Sequence, residues 1–210
     1  MDKETGRLFQ WLIDNNRMDS TNIIFMGDNG QIQKVSQIAD TSHGKGTLYE
    51  YGVHVPFIIS GPAVVNPNRV SSALINTPDL FSTMAELAGY SNWQNSIPNG
   101  VLVDSRSLMP IVKNQSTNVH DWVFTEVFDP MPMPESGKAI RNTDYKLIVF
   151  DDGHQEFYNL TTDGLEQNNL LLQTLSNIEL TNYNYLCNEM GTLQLAQRRL
   201  RRRSDRGPDY

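Results

Sequence analysis

Two apolar runs that enclose two polar motifs, all within residues 21–62, constrain the fold of this chain more than any other stretch. The runs NIIFM (residues 22–26) and VHVPFIIS (residues 53–60) are short and rich in β-branched residues. This predicts two central strands with neighbours on both sides, the first of them buried and parallel. The motifs Asp28-Asn29-Gly30 and Gly44-Lys45-Gly46-Thr47 lie between the runs. Because ligands bind at the carboxyl ends of strands in open α/β sheets, this stretch is the first candidate for a site.

Helical patterns flank the two predicted strands. Residues 3–16 place apolar side chains on one broad face, which predicts an amphipathic helix that ends at Asn15-Asn16. Residues 77–88 predict a second helix, with Thr77 as N-cap, Pro78 at the first helical position and Gly89 as terminator. Helices that alternate with strands in this way indicate an α/β layer architecture.

The C-terminal part of the chain has a different pattern. Strand-like runs at residues 122–128, 138–142, 145–150 and 155–160 are short, and Asp-Asp-Gly at 151–153 separates the last two as a hairpin turn. Residues 138–160 therefore predict a small antiparallel meander, and residues 174–201 a terminal helix. We expect an α/β domain over residues 1–120 and a small α+β subdomain over residues 121–210.

Composition excludes several classes of protein. The net charge of −7 argues against general nucleic-acid binding, and no apolar run approaches the roughly 18 residues of a membrane span. The single cysteine, Cys187, has no partner for an internal disulfide and leaves the redox compartment open. The first residues are acidic and amphipathic, unlike a signal peptide, so we expect either a cytoplasmic chain or one whose true N-terminus is missing.

Asp28 and Asn29 carry the first candidate chemistry. A carboxylate and an amide carbonyl are hard oxygen donors that suit Ca²⁺ or Mg²⁺, and Gly30 allows a sharp turn after them. The alternative is a plain turn, since Asp-Asn-Gly is a common turn sequence.

Lys45 is the second candidate for a chemical role. Glycines on both sides of a lysine allow close backbone approach, and the ammonium group suits a sulfate or phosphate oxygen. The alternative is a flexible loop with a solvated lysine. His43 lies beside this motif, where it is either a substrate contact or a solvated loop histidine.

The order of the motifs is similar to that of the sulfatase family, part of the alkaline phosphatase superfamily. The family reads a strand, DNG, GKGTLYEGGVRVP, an apolar strand with Gly-Pro and a DLxPTxxxLAG helix. This chain has DNG, GKGTLYEYGVHVPFIISGP and TPDLFSTMAELAG in that order. Further along, DSRSL (104–108), RNTDYKL (141–147) and EFYNL (156–160) with Glu166 also resemble family motifs. The resemblance covers nearly the whole chain but only the C-terminal half of the family.

The resemblance implies a fold and a set of roles. The fold is part of a sulfatase-like sheet flanked by helices, followed by the antiparallel meander and terminal helix. Asp28 and Asn29 correspond to metal ligands, usually for Ca²⁺, with Mg²⁺ or another hard divalent cation as alternatives. Asp28 is also placed to help activate the nucleophile, and Lys45 corresponds to a lysine that contacts the sulfate group of a sulfate ester substrate.

The chain also departs from the family pattern. Sulfatases oxidise the Cys or Ser of a C-x-P-x-R or S-x-P-x-R motif to formylglycine, and these 210 residues contain neither motif. Cys187 lies in a predicted helix and is interpreted as structural. We expect the chain to be inactive alone, with the missing N-terminal sulfatase half as its partner. Two other readings remain: a non-catalytic remnant that binds a partner, and a phosphoester or phosphonate hydrolase of the same superfamily.

Overall fold

The computed structural model describes residues 2–32, 41–128 and 136–204. Within these ranges the helices, in chain order, are α1 (Asp2–Asp14), α2 (Glu50–Val53), α3 (Asp79–Leu87), α4 (Met109–Val112) and α5 (Asn177–Ser204). The strands are β1 (Ile23–Met26), β2 (Phe57–Ser60), β3 (Val123–Val127), β4 (Gly137–Arg141), β5 (Tyr145–Phe150) and β6 (Gln155–Asn159).

The chain divides into two compact units that each take two segments of sequence. The first unit comprises residues 1–28 and 55–121, and the second comprises residues 29–54 and 122–210. The second unit thus takes in the stretch that holds Lys45. The domains expected at 1–120 and 121–210 stay a prediction.

β1 and β2 form an antiparallel pair in the first unit, from Ile23 opposite Ser60 to Met26 opposite Phe57. The expectation of a buried parallel strand with neighbours on both sides was wrong for the described residues, in which the sheet has two strands and Phe25 and Ile58 are exposed. An apolar run favours burial but does not determine it, and it carries no information about strand direction, because both depend on partners distant in sequence.

The strand predicted from residue 53 begins only at Phe57. Residues 50–53 instead form the single turn of α2, in which His54 N donates to Glu50 O over 2.7 Å. Pro56 has no N–H for a strand ladder, so the regular strand starts after it.

A buried carboxylate, that of Asp79, anchors α3. Its oxygens accept from Asn76 N at 2.7 Å, Arg106 N at 2.9 Å and His120 Nε2 at 2.9 Å. The predicted cap was therefore wrong: Pro78 occupies the N-cap position without a side-chain bond, and Asp79 satisfies the surrounding donors. Gly89 ends the helix with a φ of +85°, as predicted.

The second unit contains the predicted meander. Strands β3 to β6 form an antiparallel sheet in sequence order, and the 151–153 hairpin turn is confirmed, with Gly153 at a φ of +94°. The terminal helix is also confirmed as α5, which packs on one face of the sheet. The core between them includes Ile140, Leu147, Phe157, Leu186 and Met190. Across the described residues, no helix combines the length and apolar character needed to cross a membrane.

Candidate active site

The Asp28-Asn29-Gly30 turn follows β1 directly. Asp28 and Asn29 are exposed, and the Asn29 amide nitrogen donates to Gly30 O over 3.1 Å. Gly30 N donates to Gly52 O over 3.0 Å, and a Cβ at Gly30 would lie 2.0 Å from Tyr51 O. Only glycine fits this close approach of two backbones, so the turn is fixed against α2.

Within the second unit, backbone hydrogen bonds join the segment after the Asn29-Gly30 turn to α2 and to Lys45. Gln31 N donates to Tyr51 O over 3.1 Å, and Lys45 N donates to Gln31 O over 2.7 Å. The residue after the Asn29-Gly30 turn thus holds the backbone of the lysine. The side chain of Lys45 is exposed, and within the described ranges it forms no ion pair.

The loop that carries Lys45 is closed by its own turn. Thr47 is buried, and its Oγ1 and N both donate to Gly44 O, at 2.7 and 3.2 Å. A Cβ at Gly52 would lie 2.5 Å from Thr47 O, so α2 packs on this turn backbone to backbone. Hydrogen bonds therefore hold the backbone of the Gly-Lys-Gly segment to the rest of the second unit. This favours a defined position for the Lys45 backbone over a flexible loop.

Asp28 and Asn29 fit part of a cation site. Because the Asn29 nitrogen is engaged with Gly30 O, its carbonyl oxygen is the amide atom left to a ligand. A carboxylate and a carbonyl suit a hard cation, but Ca²⁺ takes about 6–8 oxygens. No group of three or more His, Cys, Asp or Glu residues in the described part of the chain is arranged to hold a metal. The residues present thus fit two positions of a calcium shell.

His43 is half-buried, and its ring stacks on Tyr49, with 3.5 Å between the ring centroids and 7° between the planes. The hydroxyl groups of Tyr49 and Tyr158 donate to Glu156 at 2.7 and 2.8 Å. Burial and the Glu156 carboxylate raise the pKa of both phenols, which stay neutral donors. His43 therefore belongs to a packed cluster, and its contact with a substrate stays a prediction.

A charge cluster at the start of α2 was not predicted from the sequence. It consists of two carboxylates, Glu50 and Glu166, and two cations, Lys146 and Arg141. Lys146 Nζ lies 3.1 Å from Glu50 Oε1 and 2.9 Å from Glu166 Oε1. Arg141 Nη1 donates to Glu50 Oε2 over 2.5 Å. The available signal was a lysine inside the apolar strand YKLIVF, where an unpaired charge would be costly.

The two carboxylates of this charge cluster have opposite pKa shifts. Burial alone would raise the pKa of Glu50, but the hydrogen bond to His54 and the charges of Lys146 and Arg141 outweigh burial and lower it to about 2. Burial raises the pKa of Glu166, and Lys146 opposes that rise. His54 lies at the end of α2, and its hydrogen bond to Glu50 raises its own pKa.

Cys187 does not have the setting of a nucleophile. It lies within α5, half-buried beside the core of the second unit. Burial raises the pKa of its thiol, which disfavours the reactive thiolate. This agrees with a structural role.

Solved structures share this fold at low sequence identity. A sulfatase from Pseudoalteromonas sp. matches 92% of this chain and 41% of its own, with a TM-score of 0.66 and 19% identity. A phosphonate monoester hydrolase of Agrobacterium radiobacter matches 93% of this chain and 39% of its own, with a TM-score of 0.71 and 20% identity. The chain thus has part of the alkaline phosphatase-like α/β fold.

Sequence comparison gives the family. Residues 1–90 match the family model described as Sulfatase. A sulfatase of Formosa agariphila is 31% identical over 194 residues, which cover 84% of this chain and 34% of that protein. The chain belongs to the sulfatase family, and it spans about a third of the length of the curated relatives it matches.

Proposed function

We propose that the chain supplies part of the active site of a sulfuric ester hydrolase: two metal ligands and a sulfate-binding lysine. The observation that carries this proposal is the bond from Lys45 N to Gln31 O, which joins the lysine loop to the Asn29-Gly30 turn in one unit. In a solvated loop and an unrelated turn, the two motifs would have no reason to share a hydrogen bond.

Asp28 and Asn29 are the proposed ligands, with Ca²⁺ as the expected cation and Mg²⁺ or another hard divalent cation as alternatives. When bound, such a cation polarises a sulfate oxygen and stabilises negative charge there. Asp28 has a second proposed role, in which its carboxylate accepts a proton from the hydroxyl of the attacking group.

Lys45 is the proposed contact for the sulfate group. Its exposed ammonium is a compact charge with three donors, and it neutralises negative charge on the sulfate oxygens as the ester bond breaks. The backbone bonds on both sides of Lys45 fix the point from which the side chain extends, so little reorganisation is needed when the ester binds.

The attacking group is proposed to lie outside these 210 residues, in the N-terminal sulfatase half with its formylglycine. The chain alone is therefore expected to hydrolyse no aryl sulfate, and activity is expected only with that half. Turnover of an aryl sulfate by the purified 210-residue chain would refute this part of the proposal.

Calcium titration tests the metal ligands. Wild type and Asp28→Ala are compared by calorimetry, with Asp19→Ala as a control because Asp19 is another exposed aspartate. Two ligands give weak binding, and we expect it to be lost in Asp28→Ala and kept in Asp19→Ala. Equal binding by all three proteins would remove Asp28 from the site and favour a non-catalytic remnant.

A second candidate function is hydrolysis of phosphate or phosphonate monoesters, because a phosphonate monoester hydrolase has the same fold. Sulfate and phosphate sites differ mainly in charge balance. Competition between inorganic sulfate and inorganic phosphate for the wild-type chain separates the two functions. Preference for sulfate supports the sulfatase proposal, and preference for phosphate supports the alternative.

A further inference from the structure

The charge cluster of Glu50, Arg141, Lys146 and Glu166 surrounds the start of α2, the helical turn that follows the Gly44–Thr47 loop in the chain. Glu50 is the first residue of α2, whereas the other three come from β4, β5 and the segment after β6. Lys146 and Glu166 are each 1% exposed and Glu50 is also buried, whereas the side chain of Arg141 is 21% exposed. Two carboxylates face two cations, and His54 Nδ1 lies a further 3.4 Å from Glu50 Oε2.

α2 depends on this cluster because such a short helix is not stable on its own. It has four residues, and its N-cap, Tyr49, makes no side-chain capping bond. A single helical turn is unstable in isolation because nucleation is unfavourable. The missing cap is supplied from elsewhere: Glu50 N donates to Glu166 Oε2 over 2.5 Å, while the Glu50 side chain is held by Lys146 and Arg141.

α2 in turn holds both motifs of the candidate site. Gly52 O accepts from Gly30 N, Tyr51 O accepts from Gln31 N, and Gln31 O accepts from Lys45 N. Hydrogen bonds and short stretches of backbone thus connect the buried carboxylate of Glu166, through α2 and Gln31, to the backbone of Lys45. Every one of these connections lies inside the second unit.

Stability alone is a poor explanation for such a cluster. Desolvation of buried ions offsets much of their attraction, and well-packed apolar residues often serve stability equally well. In some proteins buried polar and ionic groups instead specify one arrangement of the chain, because each charge has few acceptable partners. Here the arrangement specified is that of α2.

We propose that Lys146 and Glu166 are positioning residues for Lys45: they fix α2, and α2 sets the place of the sulfate-binding loop. This inference deepens the proposed function and rests on it for the role of Lys45. Neither residue contacts substrate in this scheme.

Amide hydrogen exchange on the full 210-residue chain tests the proposal. Glu166→Gln keeps an oxygen that accepts from Glu50 N but removes the charge that pairs with Lys146. We expect the amides of Gly30, Gln31 and Lys45 to exchange about tenfold faster, as expected for local opening, while β5 amides such as that of Leu147 change little. Inorganic sulfate should also bind several-fold more weakly.

Matched variants separate positioning from general stability. Tyr183→Phe removes one hydrogen bond, Tyr183 to Gln155 at 2.7 Å, in the same unit but outside the cluster, and should leave the loop amides unchanged. Lys146→Met should behave as Glu166→Gln does, and Lys146→Arg, which keeps the cation, should restore slow exchange at Lys45. If Lys146→Met fails to fold, Glu166→Gln still carries the test.

Two outcomes would overturn the proposal: unchanged exchange at Gly30, Gln31 and Lys45 in Glu166→Gln, or equal acceleration of the loop and β5. Failure of the proposed function would look different. In that case, Lys45→Ala would bind inorganic sulfate as wild type does, whatever the exchange data show.

Discussion

Glu50 links the stability of the second unit to acid pH. Its pKa is lowered to about 2 from an ordinary 4.5, so its contribution to stability is present above pH 4.5 and is lost as the pH falls towards 2. Glu166 has a raised pKa, so its own contribution is lost instead as the pH rises through that value. The loss of stability below pH 4.5 therefore includes the contribution of Glu50, beside those of Asp152 and Glu179, whose pKa values are lowered by hydrogen bonds with His154 and Ser176.

We predict that Glu50→Gln is less stable than wild type at pH 5 by on the order of 2–3 kcal/mol, and that the difference shrinks as the pH falls to 2. Urea unfolding at a series of pH values measures both. Glu126→Gln is the control, since Glu126 forms a more exposed pair with Lys138 at 3.5 Å and should change stability by less than about 1 kcal/mol. A Glu50→Gln difference that is constant with pH would contradict the assigned pKa shift.

The packing around Gly30 gives a second prediction, on the stability of Gly30→Ala. Because an added Cβ would lie 2.0 Å from Tyr51 O, Gly30→Ala must displace backbone, and we expect a loss of about 1–3 kcal/mol of unfolding free energy. Gly191→Ala in α5 is the matched control: nothing lies within 4 Å of its added Cβ, and it should be neutral or stabilise by up to about 1 kcal/mol. Equal effects of the two substitutions in urea unfolding would argue against the packing of the turn on α2.

At the scale of the elements, the start of α3 gives a prediction about Asp79 and Thr77. Asp79→Ala leaves the donors of Asn76, Arg106 and His120 without their buried acceptor, and we predict a loss on the order of 3 kcal/mol. Thr77→Ala removes only the cap that the sequence suggested and should cost less than about 0.5 kcal/mol. Thermal unfolding of the two variants measures this difference in stability. A larger loss of stability for Thr77→Ala would support Thr77 as the N-cap, as the sequence predicted.

Elements fixed by local sequence were predictable, and elements fixed by distant partners were not. The 151–153 turn and the meander follow from alternating runs and a glycine-containing turn, so their strands differ from the prediction by a residue or so. The direction of β1 depends on β2, more than 30 residues later in the chain. The charge cluster joins Glu50 to Lys146 and Glu166, which are separated from it by 96 and 116 residues, and no local pattern reports such a pairing.

The site divides in the same way. Asp28, Asn29 and Lys45 could be named as candidates because their motifs are short and ordered along the chain. Other features of the site depend on the folded backbone. They are the hydrogen bond from Lys45 N to Gln31 O and the close backbone approaches that Gly30 and Gly52 allow. The glycines were visible in the sequence, but their contacts with Tyr51 and Thr47 were not.

At the scale of the molecule, the first unit exposes large apolar side chains. Trp11 on α1 is 56% exposed and Ile58 on β2 is 58% exposed, and among the described strands β1 and β2 each have one unpaired edge. Exposed apolar surface and open strand edges favour association.

We therefore predict that the purified chain self-associates at micromolar concentrations, and that Trp11→Gln with Ile58→Thr shifts it towards monomer. Size-exclusion chromatography with light scattering measures this. Lys113→Gln is a control for an unrelated surface change in the same unit. A monodisperse wild-type monomer with a cooperative melt would contradict the prediction.

The binding of inorganic sulfate tests most directly whether this chain carries half of a sulfatase site. Calorimetric titration of wild type, Lys45→Ala and Lys113→Ala compares the candidate lysine with another exposed lysine. We predict weak sulfate binding by wild type and Lys113→Ala, and its loss in Lys45→Ala. Binding that is identical in all three proteins, or absent from wild type, would contradict the assignment of Lys45 to the sulfate group.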